Sequence, residues 1–256
     1  MIYKVAGKEK GTIICIHGNS SSSKVFENLL NTTEINQSII TVDLPGHGDN
    51  QKTSDELLTF SILSLKSFLL DIISDIDDEV LLIGNSLGGH LAIEIATEIK
   101  KLKGLVIMGT PPLKKPSNFD EAFVPVPELN SFLKEFPSDV EIEAVTEIAI
   151  VNKENKQRII DDFKRSNPSV RSALAEDLAK GTFVDEYKIF TNLEIPKYII
   201  AGDSDPSVNR SYLDEVKKDC KLNCEIFDLK ECGHYPSIDR SDEFINIVKD
   251  VANKVF

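Results

Sequence analysis

The stretch Leu82-Ile83-Gly84-Asn85-Ser86-Leu87-Gly88-Gly89-His90 decides how this chain is read. A β-rich run, Val80 to Ile83, leads into it, and a helical pattern from about Leu87 to Lys100 leads out. Between them, Gly84-Asn85-Ser86-Leu87-Gly88 matches G-x-S-x-G, the elbow that lifts a serine onto a sharp strand-to-helix turn. Such a turn strains the serine backbone and crowds the positions two residues to either side, where glycine removes the collisions. Gly89 lets the helix approach the sheet. The helix aims its N-terminus at Ser86, so its unpaired N–H groups favour negative charge forming there. A plain glycine-rich turn has the same composition; the flanking strand and helix favour the elbow.

Upstream, Ile2 to Ala6 and Thr12 to Ile16 read as strands joined by a turn through Gly7 to Gly11. The second is nearly all apolar, as a buried central strand should be. It ends in the polar loop His17-Gly18-Asn19-Ser20-Ser21-Ser22-Ser23. Ser38 to Val42 is the next strand, running into Asp43-Leu44-Pro45-Gly46-His47-Gly48. Thr53 and Glu56 form a capping box ahead of a helix with Leu58, Ile62, Leu65, Leu69, Ile72 and Ile76 at helical spacing. In the elbow helix, Leu91, Ala92, Ile95, Ala96 and Ile99 share one face, with Glu94, Glu98 and Lys101 on the other. Gly104 to Met108 is another apolar strand.

Downstream the alternation breaks at Gly109-Thr110-Pro111-Pro112. From there to about Leu193 no buried strand is legible. Helical patterns fall instead near Asp139 to Val151, Glu154 to Ser166, and Pro168 to Lys180, the last closed by Gly181. Strands resume at Pro196 to Ala201 and Glu225 to Leu229, with a helix from about Asn209 to Asp219 between them and a final helix from Ser241. Strand–helix alternation predicts an α/β fold with a mostly parallel central sheet flanked by helices. Residues 1–111 and 191–256 form its core, and residues 112–190 a helical cap inserted into it.

A chain of 256 residues is long enough for one large α/β domain. Its net charge of −13 argues against nucleic acid or anionic membranes as partners. The N-terminus lacks an apolar signal core and no run approaches a membrane span, so a cytoplasmic protein is expected, as monomer or homodimer. The cysteines Cys15, Cys220, Cys224 and Cys232 form no disulfide framework and lack zinc spacing; reduced thiols and no metal are expected.

A serine hydroxyl is a weak nucleophile at neutral pH and needs a base, and the base needs an orienting group. His234, in the loop Glu231-Cys232-Gly233-His234-Tyr235-Pro236 after a late strand, is the candidate base. Asp205, in Gly202-Asp203-Ser204-Asp205-Pro206, is the candidate acid, with Asp203 competing for the role. All three groups follow the carboxyl ends of strands, where open α/β sheets place their sites. The Leu87 N–H, just after the serine, and the Asn19 N–H, in the loop after Ile16, are the expected oxyanion donors. The Asn19 side chain is placed to touch substrate; the alternative for Asn19 and Ser20 to Ser23 is an ordinary solvated loop. His47 and His90 are expected to shape loops by hydrogen bonding, and His17 to fix the loop beside the site. Phe119, Phe123, Phe132 and Phe136 are candidate walls for an apolar acyl chain.

Together, His17-Gly18-Asn19, Asp43-Leu44-Pro45-Gly46-His47-Gly48, the elbow, Gly202-x-x-Asp205-Pro206 and Cys232-Gly233-His234 resemble the α/β-hydrolase superfamily over nearly the full length. The resemblance implies the α/β-hydrolase fold, with the cap inserted after the family's sixth strand and the N-terminal hairpin shortened to about one strand before Thr12. Ser86 at the elbow is unlike the dehalogenases and epoxide hydrolases of the superfamily, which use aspartate there. A finer likeness, in His17 to Ser22, Ser86 to His90 and Gly109 to Pro112, is to hydrolase-fold lactonases that open N-acyl-homoserine lactones. Asn85 departs from it, standing where those enzymes carry tryptophan, and implies a different pocket floor; Asp205 stands where glutamate can occur. The implied function is a cofactor-free serine hydrolase of a small acyl ester or lactone. A general carboxylesterase or thioesterase, a carbon–carbon hydrolase, and a receptor on the same scaffold are the alternatives.

Overall fold

The computed structural model describes residues 1–51 and 60–256; Thr53, Glu56 and Leu58 of the expected capping box and helix start lie outside them. Seven strands form one sheet: β1 (Ile2–Val5), β2 (Thr12–Ile16), β3 (Ser38–Val42), β4 (Val80–Asn85), β5 (Leu102–Met108), β6 (Lys197–Gly202) and β7 (Cys224–Leu229). Their order is β1-β3-β2-β4-β5-β6-β7. All neighbouring pairs are parallel except β1 with β3. β1 and β2, adjacent in sequence, are therefore not neighbours in the sheet. β3 lies between them, because β1 takes up its outer edge in antiparallel register, Ile2 opposite Val42.

Alternation along the central strands divides the core. Ile14, Ile16, Leu82, Leu105 and Ile107 face one side, where Leu65 and Leu69 of the helix Ile62–Ser74 and the elbow helix Leu87–Ile95 cover them. Ile13, Cys15, Leu81, Ile83, Val106 and Met108 face the other, packed by Phe26 and by Phe244, Val248 and Val251 of the C-terminal helix Ser241–Val255. Both faces are dry, which is why β2 and β4 read as unbroken apolar runs. The elbow helix is buried on every side. Glu94, on the face opposite the apolar one, is only 4% exposed and is paired with Lys66 at 3.0 Å. The helix also ends at Ile95 rather than Lys100, continuing as a 3-10 turn over Ala96–Glu98.

Between β5 and β6 lie the expected helices Asp139–Ala149, Lys156–Arg165 and Ser169–Lys180, the last ending on Gly181 in left-handed conformation. Further helical segments that the sequence did not mark include Ser23–Asn31, built from a 3-10 turn and a short helix, Pro127–Leu133, a 3-10 helix, and Glu186–Asn192. Among the described residues no helix is long and apolar enough to cross a membrane.

The chain passes from β2 outward to β3, then crosses back to β4 on the other side of β2. The loops after β2 and β4 thus diverge, opening a crevice at the carboxyl ends of these strands, where an open parallel sheet builds its site.

Candidate active site

Ser86 follows β4 directly, at φ 54° and ψ −123°, and is the N-cap of the elbow helix. A non-glycine residue in that region is strained, and the strain is held by close packing. A Cβ on Gly84 would lie 2.4 Å from Gly88 O, and one on Gly88 2.2 Å from Ile16 O. The Thr110 hydroxyl lies 2.9 Å from both Ser86 O and Met108 O and shares its one proton between them, bracing the turn from β5.

Strand register brings the β2 loop alongside. Ile16 pairs with Gly84, so Gly18 lies against the serine; a Cβ there would be 3.0 Å from Ser86 Cβ. The next residue is Asn19. Among the described residues the backbone N–H groups of Asn19 and Leu87 donate to no turn or loop carbonyl. The Asn19 side chain donates to Phe132 O at 2.9 Å, tying the loop to the helical cover. His17 organises this corner. Leu44 N–H donates to its Nε2 at 3.0 Å, so Nδ1 carries the proton and donates to Gly18 O at 2.7 Å. Burial pushes His17 down to about 4 and His47 down to about 3, leaving both neutral at neutral pH. The serines after Asn19 are not solvated: Ser20, Ser21, Ser22 and Ser23 are each at most 2% exposed. Helices of the cover lie over them, with Ser22 Oγ donating to Asp162 at 2.7 Å and Arg171 donating to Ser20 Oγ at 3.2 Å.

Asp205, beyond β6, and His234, beyond β7, meet: Asp205 Oδ2 accepts from His234 Nδ1 at 2.9 Å. The other carboxylate oxygen accepts from Ser207 N at 2.9 Å and Ser207 Oγ at 2.6 Å. Burial pushes Asp205 up, but the His234 charge and these hydrogen bonds outweigh it and hold its carboxyl below the usual range. Burial pushes His234 down, and the adjoining carboxylate more than reverses this, so the imidazole holds its proton above the ordinary value. Asp203 turns away to Ser204 Oγ and the Cys232 N–H and does not reach His234. Between the two candidate acids, it is Asp205 that the fold sets against the imidazole.

Ser86 and His234 line one cavity of ≈ 340 Å³, together with Asn19, Leu87, Phe119, Phe123 and Phe132. No hydrogen bond joins Ser86 Oγ to His234 among the described residues; such bonds are often long in unliganded sites and tighten on binding. Phe136, expected in the wall, is 72% exposed at the surface instead. Leu129, Leu174, Leu178 and Phe183 contribute walls that residue type alone did not single out.

Asn85 is not a pocket floor. It is fully buried and donates to Met108 O at 3.1 Å and to His234 O at 3.0 Å, pinning the histidine loop to the residue before the serine. The loop is pinned a second time by His234 N–H, which donates to Ala149 O at 2.8 Å. Ser207 was legible in principle, since Asp205-Pro206-Ser207 has the form of an Asx-turn, in which an aspartate accepts the N–H two residues on. His90 also lines the cavity rather than a loop. The signal was its spacing: four residues after Ser86 on a helix is the same face, one turn on.

The fold and site place the chain in a known class. The Alpha/beta hydrolase family matches residues 13–247, and the chain belongs to it. Among curated relatives, Protein phosphatase methylesterase 1 of Candida albicans is 34% identical over 111 residues, 41% of this chain and 31% of that protein. Pimeloyl-[acyl-carrier protein] methyl ester esterase of Xylella fastidiosa is 26% identical over 59% of this chain and 50% of its own length. The matched segments thus span from under a third to half of these relatives. Among solved structures, N-acyl homoserine lactonase AidH superposes with a TM-score of 0.86 at 23% identity, covering 99% of this chain and 93% of that one. The meta-cleavage product hydrolase CumD of Pseudomonas fluorescens gives 0.78 at 18% identity, covering 100% and 94%. At these identities the structural likeness is one of fold.

Proposed function

We propose that the protein is a cofactor-free serine hydrolase that cleaves a small carboxylic ester or lactone. The observation that carries this reading is the His234 imidazole held by Asp205 at 2.9 Å, on the same cavity as a serine strained to φ 54° at a helix N-terminus. In this reading Ser86 Oγ attacks the carbonyl carbon while His234 takes its proton, and Asp205 orients the ring and stabilises the imidazolium. The N–H groups of Leu87 and Asn19 receive the oxyanion. The imidazolium then protonates the departing alcohol oxygen, and water, deprotonated by the same ring, releases the acid from Ser86. Phe119, Phe123 and Phe132 receive the apolar acyl portion, and residues 112–190 act as the cap over the core. Esterase and lactonase names among the relatives and neighbours support the ester and lactone class, with N-acyl-homoserine lactones as one candidate group.

The test is covalent labelling by a fluorophosphonate, followed by turnover of p-nitrophenyl esters and of γ-lactones. The unmodified chain is expected to be labelled on Ser86. Ser86→Ala should fold, resist labelling and lose turnover by a factor on the order of 10⁵–10⁶. Folded wild-type protein that neither labels nor turns over any ester would overturn the reading in favour of a binding protein.

A further inference from the structure

The imidazole of a second imidazole–carboxylate pair lines the same cavity. His90, one turn along the elbow helix from Ser86, places Nδ1 2.7 Å from Glu186 Oε2. Its backbone N–H donates to Ser86 O at 3.2 Å, so the ring is carried by the element that carries the nucleophile. Glu186 comes from the far side, from the helix Glu186–Asn192, and is 0% exposed. The same Oε2 accepts the Leu113 N–H at 3.0 Å, which fixes the carboxylate's position. The ring is held between Phe183, edge-on at 5.8 Å, and Phe123 at 6.3 Å.

This arrangement sets the chemistry of the ring's free atom. A carboxylate only accepts hydrogen bonds, so Nδ1 carries a proton, and a ring with that one proton has its lone pair on Nε2. Among the described residues Nε2 has no hydrogen-bond partner, and it is not sealed off from the cavity. It is an acceptor of fixed direction beside Phe123 and Phe183, on a cavity whose other polar lining includes Asn19, Asp120 and Asn130. Holding it there is costly: Glu186 Oε1 is buried with no partner among the described residues. A fold does not need that cost in a cavity wall, and such departures gather where a site recognises something.

We propose that His90, oriented by Glu186, is a specificity subsite that accepts a hydrogen bond from an N–H or O–H group on the substrate, a few bonds from the reacting carbonyl. The substrate class narrows from plain acyl esters to esters or lactones bearing an amide N–H or a hydroxyl near the carbonyl. This rests on the cavity being the substrate site of the proposed hydrolase.

The test uses two esters of one shape. Methyl N-hexanoylglycinate carries the N–H; methyl 4-oxononanoate replaces that N–H with CH₂. Calorimetric titration of Ser86→Ala with each reads binding without turnover. The amide ester is expected to bind about tenfold tighter than the ketone ester, the worth of one well-placed neutral hydrogen bond. In Ser86→Ala/His90→Asn the carboxamide keeps the contact to Glu186 and removes Nε2, and the preference should vanish. In Ser86→Ala/His90→Gln, whose oxygen reaches the place of Nε2, part of it should return. Equal binding of the two esters by Ser86→Ala, or equal losses for both in His90→Asn, would overturn the subsite. So would tighter binding of the anionic half-ester monomethyl adipate, because it would show a donating imidazolium. Turnover of the same esters by the unmodified chain is a separate readout: its absence counts against the hydrolase reading, whereas the binding ratio judges the subsite.

Discussion

The two imidazole–carboxylate pairs on the cavity differ in what holds them. His234 and Asp205 ride on loops, and the loops are cross-braced: Asn85 and Ala149 grip the histidine backbone, and Ser207 occupies the carboxylate oxygen that His234 leaves. His90 and Glu186 ride on helices and have less bracing, with one carboxylate oxygen unpartnered among the described residues. A loop supplies no direction of its own, so a loop-borne pair needs a bond to each exposed polar atom to hold its aim. A helix supplies direction through its backbone ladder, and a pair mounted on it tolerates an incomplete set of partners.

The same chemical change made in both pairs separates their roles. Asp205→Asn is expected to lower kcat by about 10⁴, since the amide orients the wrong tautomer. It should also move the acidic limb of the kcat/KM profile. The Asp205 carboxylate raises His234 above its ordinary 6.5, so the unprotonated base appears only above that pH. Without the charge, the limb should move to lower pH. Glu186→Gln, by contrast, should act through KM for N–H-bearing substrates, by about three- to tenfold. Equal kcat losses in the two variants would erase the distinction between the pairs.

The bracing itself is the next target. Asn85→Ala leaves the carbonyls of His234 and Met108 without their donor. A drop in kcat of about 10–100-fold with a smaller change in KM is expected, because a small displacement of the base is costly. A proportional loss of labelled protein with unchanged kcat per active site would assign Asn85 to stability alone.

The last effect is on stability and leaves the chemistry untouched; it concerns the neutral histidines under the β2 loop. Burial holds His17 down at about 4 and His47 at about 3, whereas both protonate near 6.5 in the unfolded chain. Between those values the unfolded state binds more protons, so stability falls as pH drops from about 6.5 towards 4, by at most ~1.4 kcal/mol per pH unit per group. Urea midpoints at pH 7 and pH 5 read it, and His47→Asn should reduce the difference, leaving the share of His17.

Much of this was legible before any coordinates. β2 and β4 are apolar throughout because both faces of the sheet are covered, and that leaves a local mark. The elbow was legible because a strained serine imposes glycine on its immediate neighbours. Asp205 and Asp203 were harder to separate. Two residues apart in a turn, they differ only in which one the distant His234 loop meets.

The sequence by itself determined the alternation of elements, the elbow, the order Ser86, Asp205, His234 and the break into helices after Gly109, since each is written in neighbouring residues. Only the tertiary structure decided that β3 separates β1 from β2, that Ser20 to Ser23 lie buried under the cover, that Asn85 grips the histidine loop, and that His90 meets Glu186. The reason is physical: hydrophobic period and backbone strain act over a few residues. A hydrogen-bond partner 96 or 149 positions away is chosen by how whole elements pack.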